Sequence, residues 1–215
     1  METRIFALSP RPHPGTIAHP EGEVFRAKAW GAPASCDIGG FAALQQYRRL
    51  CAWADVIHHH APWPYGDLLN VLSGCKKPLV ITWHSDVVRQ KLLALACAPL
   101  RDALLRRARA VIATSPVYAR TSPTLSRRDV AAKLRVISPG MQDRRASEAD
   151  TGHLAMRRPF LLFLGALRYY KGLPFLVQAA CDSGVPVVIC GAGDDRELRR
   201  MAGGSSHITF AGHVD

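Results

Sequence analysis

The chain has 215 residues, 48% of them hydrophobic and 21% charged, ordinary proportions for a soluble globular protein that can bury a sizeable core in one large domain or one and a half smaller ones. Its net charge of +11 attracts polyanions such as nucleic acid, acidic lipid headgroups or phosphorylated small molecules, but no aromatic-basic interleaving, zinc-finger or helix-turn-helix signature accompanies it, so nucleic acid is not an expected partner. No run approaches the roughly 18 consecutive apolar residues of a membrane span, and Met1-Glu-Thr-Arg-Ile-Phe leads into no signal-type apolar region, which makes the cytoplasm the expected location.

In chain order, Thr3 to Leu8 and Glu23 to Ala29 read as strands separated by a loop rich in Pro and Gly. Gly39-Gly40 reads as a turn and cap before a helix over Ala42 to Ala52, where Leu44, Tyr47 and Cys51 hold helical spacing. A strand over Asp55 to His58, a helix near Asp67 to Leu72 and a strand over Pro78 to Trp83 follow. The stretch from Arg89 to Arg109 then combines Arg89, Lys91, Arg101, Arg106, Arg107 and Arg109 with an apolar face from Leu92, Leu93, Leu95, Leu100, Leu104 and Leu105. It reads either as a packed helix with a solvated basic side or as a surface that rests on anionic membrane, and Pro99 should kink or split it. A strand over Ala110 to Ala113, a shorter helix and a strand over Leu134 to Ile137 complete this half, and the alternation implies a parallel sheet with helices on both faces.

Gln142 to Arg158 is polar and aperiodic, as a linker between domains would be. Beyond it, the uncharged run Phe160 to Leu164 reads as a strand buried on both faces, and Leu173, Leu176 and Val177 begin a helix to about Cys181. A strand over Val185 to Cys190, a helix over Arg196 to Met201 and a strand over His207 to Phe210 make βαβαβ, one mononucleotide-binding half of a doubly wound domain. Six cysteines stand far apart with no Cys-x-x-Cys pair, so free thiols are expected and neither a zinc cage nor a disulfide framework is indicated.

Three places carry candidate chemistry. Arg168 and Lys171 fall between a strand end and a helix N-terminus, where anions bind, although charges in a βα loop are often only solvated. His84, in Thr82-Trp-His-Ser-Asp86, should stand at the carboxyl edge of the first sheet, where it could bond a sugar hydroxyl or phosphate, act as acid or base, or cap the next helix with Ser85 or Asp86. Alternation puts His58 and His60 on one face of their strand, and with His84 and Asp86 they could in principle ligate a metal. Without Cys or carboxylates at ligand spacing a cage is not expected, and an unmetallated His60 near the ligand is the better reading. Gly191-Ala-Gly193-Asp-Asp195 also follows a strand and opens a helix; Arg196 stands where a dinucleotide fingerprint needs its third Gly, leaving a tight βα turn as the simplest account.

Gly165-Ala-Leu-Arg-Tyr-Tyr-Lys-Gly172 resembles the donor-phosphate loop of the GT-B retaining glycosyltransferases of family 4, usually Gly-Arg-Leu-x-x-x-Lys-Gly, with Ala166 at the Arg position. Lys171 carries over directly and Arg168, two residues on, is its substitute Arg. The segment from Val80 to Lys91 resembles an acceptor-side segment of the family's mannosyl- and rhamnosyl-type transferases, in which the matching His lies by the transferred sugar, and Asp55 to Leu69 and Val136 to Met141 resemble the family's N-terminal domain.

The resemblance implies an α/β, GT-B-like fold of two Rossmann-type units with parallel sheets, the second incomplete: residues 1–141 as acceptor-side domain, 142–158 as linker, and 159–215 as the first part of the donor domain. It implies hexose transfer with retention from a nucleotide diphosphate sugar to a glycan or lipid-linked acceptor, as in polysaccharide biosynthesis. In this reading His84 is catalytic; Gly165, Arg168, Lys171, Gly191 and Gly193 bind donor; and His60, Ser85 and Asp86 lie on the acceptor side. No metal and no cofactor beyond the donor are expected, and peripheral contact with anionic membrane at its inner face is left open. The family's Gly-rich loop after the first strand is missing, and its paired glutamates, seven residues apart, would lie beyond Asp215, so the chain reads as truncated at both ends. A non-catalytic remnant that binds nucleotide or sugar phosphate, and a metal-dependent hydrolase using His58, His60, His84 and Asp86, are the alternatives.

Overall fold

Strand β1 (Arg4–Ser9) pairs in parallel with β3 (Gly22–Gly31), and two short strands, β2 (Thr16–His19) and β4 (Ile38–Gly39), pair with β3 antiparallel. The Pro- and Gly-rich segment expected as a loop thus contains a strand. The hairpin turns at Gly22, whose φ of 140° suits glycine and whose position leaves no room for a Cβ beside the Thr3 carbonyl. This is a computed structural model, which describes residues 2–32, 36–87, 91–140 and 159–214. The linker expected over 142–158 and the basic residue Arg89 fall outside the described residues. The chain divides into two units, Met1–Gln142 and Asp143–Asp215.

The rest of the first unit is the alternating pattern. Helix α1 (Phe41–Trp53) starts from Gly40, and then come β5 (Ile57–Ala61), α2 (Pro64–Ser73), β6 (Leu79–Trp83), α3 (Lys91–Arg107), β7 (Ala110–Ala113), α4 (Pro116–Thr121), α5 (Arg128–Ala131) and β8 (Leu134–Val136). Strands β5 to β8 form an all-parallel sheet in that order, separate from the sheet of β1 to β4. The first unit therefore holds two sheets, one of them mixed, where a single parallel sheet was expected. Ile81, Val111, Leu104 and Leu105 lie in its main core, where α3 packs on the sheet. Proline punctuates the helices at permitted places: Pro64 and Pro116 stand in first turns, where no N–H is needed.

The boundaries of two elements differ from expectation. Strand β5 begins at Ile57 and runs to Ala61, so the three histidines lie within the strand, paired to Val80, Ile81 and Thr82 of β6; Asp55 and Val56 are left in the turn. Nor does Pro99 split α3, which is one helix from Lys91 to Arg107. Pro99 and Leu95, whose carbonyl loses its helical partner, are both exposed, so water can satisfy that carbonyl. One basic residue of α3 also makes fixed contacts: the exposed Arg107 donates to Asn70 Oδ1 at 2.9 Å and to the Lys77 carbonyl at 3.2 Å, and Asn70 donates to the Tyr47 hydroxyl at 2.9 Å.

The second unit holds β9 (Leu161–Leu164), α6 (Leu173–Ser183), β10 (Val187–Cys190), α7 (Arg196–Ala202) and β11 (Ile208–Gly212), a parallel sheet of order β11-β10-β9. All four residues of β10 are buried, as a central strand requires. Strand β9, expected to be buried on both faces, stands at the edge of the sheet among the described residues, with Leu161, Leu162 and Leu164 exposed at 55%, 58% and 68%. An uncharged apolar run fits either position, and only the strand order distinguishes them.

Candidate functional site

In the first unit, pairing with β6 fixes which way each residue of β5 faces. His59 turns inward and is buried, its Nε2 2.9 Å from Asp67 Oδ1 of α2, while His58 and His60 face outward. The outward rings lie side by side, tilted by 32° with centroids 4.6 Å apart. His58 Nε2 lies 2.7 Å from Thr82 Oγ1, and His60 Nδ1 lies 2.7 Å from His84 Nε2. His84 extends the ladder one residue beyond β6, its backbone N–H donating to the Ala61 carbonyl at 2.8 Å, and its ring plane lies within 14° of that of His60, centroids 5.0 Å apart. His60 and His84 therefore do come together at the carboxyl edge, with His58 behind them.

Burial lowers the basicity of His58 and His60, and the neighbouring imidazoles lower it further. Asp86 does not join this cluster. Its carboxylate accepts from Trp83 Nε1 at 3.2 Å and from the Tyr118 hydroxyl of α4 at 3.1 Å; burial and then the Asp86 charge push the Tyr118 pKa up to about 12. Ser85 is exposed. Among the described residues no group of three or more His, Cys, Asp or Glu is arranged to hold a metal ion. Behind Asp86 lies a cavity of about 180 Å³ lined by Pro62, Pro64, Asp67, Trp83, Val87, Ala94 and Cys97, among others.

In the second unit, two βα loops run side by side at the carboxyl edge of the sheet. The loop after β9 carries Gly165, Arg168 and, in a 3-10 turn over Tyr169–Lys171, Lys171, before Gly172 in the left-handed region leads into α6. The loop after β10 carries Gly191 and Gly193. The Gly165 N–H donates to the Cys190 carbonyl at 3.0 Å and the Leu167 N–H to the Ala192 carbonyl at 2.9 Å, which zips the loops together. Both glycines have φ near 150°, and a Cβ would overlap the Gly165 carbonyl at Gly191 and stand 2.7 Å from the Leu167 Cβ at Gly193. Their first role is thus close loop packing.

Arg168 and Lys171 are exposed at this edge, with Lys171 Nζ 5.8 Å from the Tyr170 ring centroid. The acidic residues beside them are compensated: Arg196 bonds Asp194 at 2.6 Å and holds its carboxyl down at about 2, and Arg199 bonds Asp195 at 2.8 Å. Asp194 and Asp195 therefore bring no unpaired negative charge to this edge. The sequence reading missed the His59–Asp67 pair, the His58–Thr82 bond and the engagement of Asp86 by Trp83 and Tyr118. Strict alternation from the outward His58 already placed His59 inward, and a buried imidazole needs a polar partner; Asp67, on the next helix, was available.

Parallel sheets flanked by helices, each with polar and charged loops at the carboxyl edge, define an α/β protein of the Rossmann-type, GT-B-like class. The chain belongs to the glycosyl transferase 4-like domain family, whose model matches residues 1–140. It is 36% identical over 223 residues to the D-rhamnosyltransferase WbpZ of Pseudomonas aeruginosa, covering 100% of this chain and 58% of that protein. It is 34% identical over 219 residues to the O-antigen chain mannosyltransferase C of Escherichia coli, covering 98% of this chain and 58% of that protein. The chain thus spans less than two thirds of the length of these curated relatives. Among solved structures, Anabaena HepE in complex with UDP and glucose is similar with a TM-score of 0.65 at 16% identity, over 90% of this chain and 57% of that one. The same protein with UDP-glucose gives 0.61 at 19% identity, over 80% and 52%.

Proposed function

We propose that this chain serves transfer of a hexose, with retention, from a nucleotide diphosphate sugar to a glycan or lipid-linked acceptor in polysaccharide biosynthesis. The reading is carried by the paired loops of the second unit, which hold Arg168, Lys171 and the N-terminus of α6 at one sheet edge. As the sugar–phosphate bond breaks, negative charge grows on the departing diphosphate. Two fixed cations and the partial positive charge of a helix N-terminus stabilise that charge more than they stabilise the intact donor. The positive charge comes from the chain itself, so the reading needs no metal. Gly165, Gly191 and Gly193 let the backbone lie close to the diphosphate, His84 faces the transferred sugar, and His60, Ser85 and Asp86 belong to the acceptor side. The relatives, named as rhamnosyl- and mannosyltransferases, and HepE, solved with UDP-glucose, support the choice of donor class.

The working place in this reading is the cytoplasmic face of the membrane. No helix among the described residues is long and apolar enough to cross it, and the net charge of +11 favours peripheral contact with anionic lipid. Calorimetry with UDP, GDP and dTDP tests the donor loop. Lys171→Ala is expected to weaken the diphosphate that binds by about 1.5–3 kcal/mol, the scale of a charge-assisted hydrogen bond, and the wild-type affinity is expected to fall as salt rises. Unchanged affinity in Lys171→Ala would remove this loop from the reading.

A further inference from the structure

We infer that His60 is a positioning residue for His84: through the contact of its Nδ1 with His84 Nε2 it sets which nitrogen of His84 carries the proton, and so what His84 presents to a ligand. The inference rests on the placement of His84 beside the transferred sugar. Two imidazole nitrogens 2.7 Å apart must share one hydrogen, because two N–H groups would collide and two lone pairs would repel. If His84 Nε2 holds that hydrogen, its Nδ1 is an acceptor in the neutral ring. If His60 Nδ1 holds it, His84 Nδ1 must carry the other proton and is a donor. A lone surface histidine exchanges freely between these forms, whereas the bond ties the tautomer of His84 to that of His60.

The support behind His60 is of the same kind. The His58 ring lies beside it, tilted by 32° with centroids 4.6 Å apart, and His58 is itself tied to Thr82 Oγ1 at 2.7 Å, so this neighbour of His60 is anchored on β6. The ionisable groups that bear on His60 are His58, His59 and His84. The nearby carboxylates are occupied elsewhere, Asp67 by His59 and Asp86 by Trp83 and Tyr118. Among the described residues no carboxylate bonds either ring of the pair.

The test is nitrogen-15 NMR of the imidazole rings in the 215-residue chain, with no substrate added. In the wild type we expect a scalar coupling across the hydrogen bond between His60 Nδ1 and His84 Nε2, and His84 shifts of one fixed tautomer at neutral pH. His60→Phe keeps an aromatic ring at this position but removes the nitrogen, and should return His84 to the averaged shifts of a free imidazole. His60→Asn removes the ring but restores a polar atom near Nδ1, and should recover a fixed tautomer. A wild-type His84 already averaged, or a His84 pattern unchanged in His60→Phe, overturns the inference. The readout involves no donor, so a fixed tautomer alongside an inert Lys171→Ala would sink the donor reading and leave this one standing.

Discussion

Three consecutive histidines have two different fates because a strand alternates its faces. His59 is buried against Asp67, whereas His58 and His60 stand half-desolvated on the other side. For His58 and His60 the folded pKa lies below the unfolded value of about 6.5, so below that pH the unfolded chain binds more protons than the folded one. Their contribution to stability is complete above about pH 6.5 and is lost as pH falls toward the depressed folded values. We expect the melting temperature of the first unit to drop between pH 7 and pH 5, and a His58→Phe, His60→Phe double variant to show a shallower slope; parallel slopes would mean that other groups set the acid limit. At the same scale, Gly191→Ala must place a Cβ where the Gly165 carbonyl stands, at a φ that L-residues avoid. A loss of about 1–3 kcal/mol is expected in the second unit, read as faster hydrogen exchange at Val187 to Cys190. Protection at the wild-type level would show that the two loops can separate at little cost.

Helix α3 shows at the level of an element what patterning can and cannot decide. Its buried face, with Leu104 and Leu105, was readable from spacing, but its first half leaves Leu92 and Leu95 exposed at 85% and 72%, on a stripe that continues through Pro99 to Arg106. Arg107, counted among the solvated cations in the linear reading, ties α3 to α2 through Asn70. Sequence spacing reports which residues share a face and is silent on what that face meets. If the stripe rests on lipid, vesicles containing anionic phospholipid should sediment the wild type at low salt and a Leu92→Glu, Leu95→Glu variant much less; equal sedimentation would leave the stripe without a membrane role. The same silence explains β9, whose leucines fit a central strand as well as an edge. The two βα loops of the second unit, in contrast, were legible because Gly165, Gly191 and Gly193 mark turns whose backbone few other residues can adopt. The partners of Asp86 were not legible, since the Tyr118 bond spans 32 residues and two elements.

At the scale of the whole molecule, each unit has its own core: Ile81, Leu105 and Val111 centre one, and Val177, Val187 and Ile189 the other. The smaller core belongs to the unit whose strand β9 is poorly covered, so that unit should give way first. All four tryptophans, Trp30, Trp53, Trp63 and Trp83, belong to the first unit, which makes the comparison easy. In a urea titration the circular-dichroism signal, which sees both units, is expected to begin falling before tryptophan fluorescence does. Coincident curves would show one cooperative transition. Strand β9 also bears on how the protein behaves in the tube. Among the described residues no strand pairs the outer edge of β9, and a row of backbone donors and acceptors beside three exposed leucines is a template for another extended chain. Yield and clarity of the purified chain should therefore worsen with concentration far more than a net charge of +11 would suggest, and a single Leu162→Lys change, which touches neither candidate site, should do more for its shelf life than any adjustment of buffer.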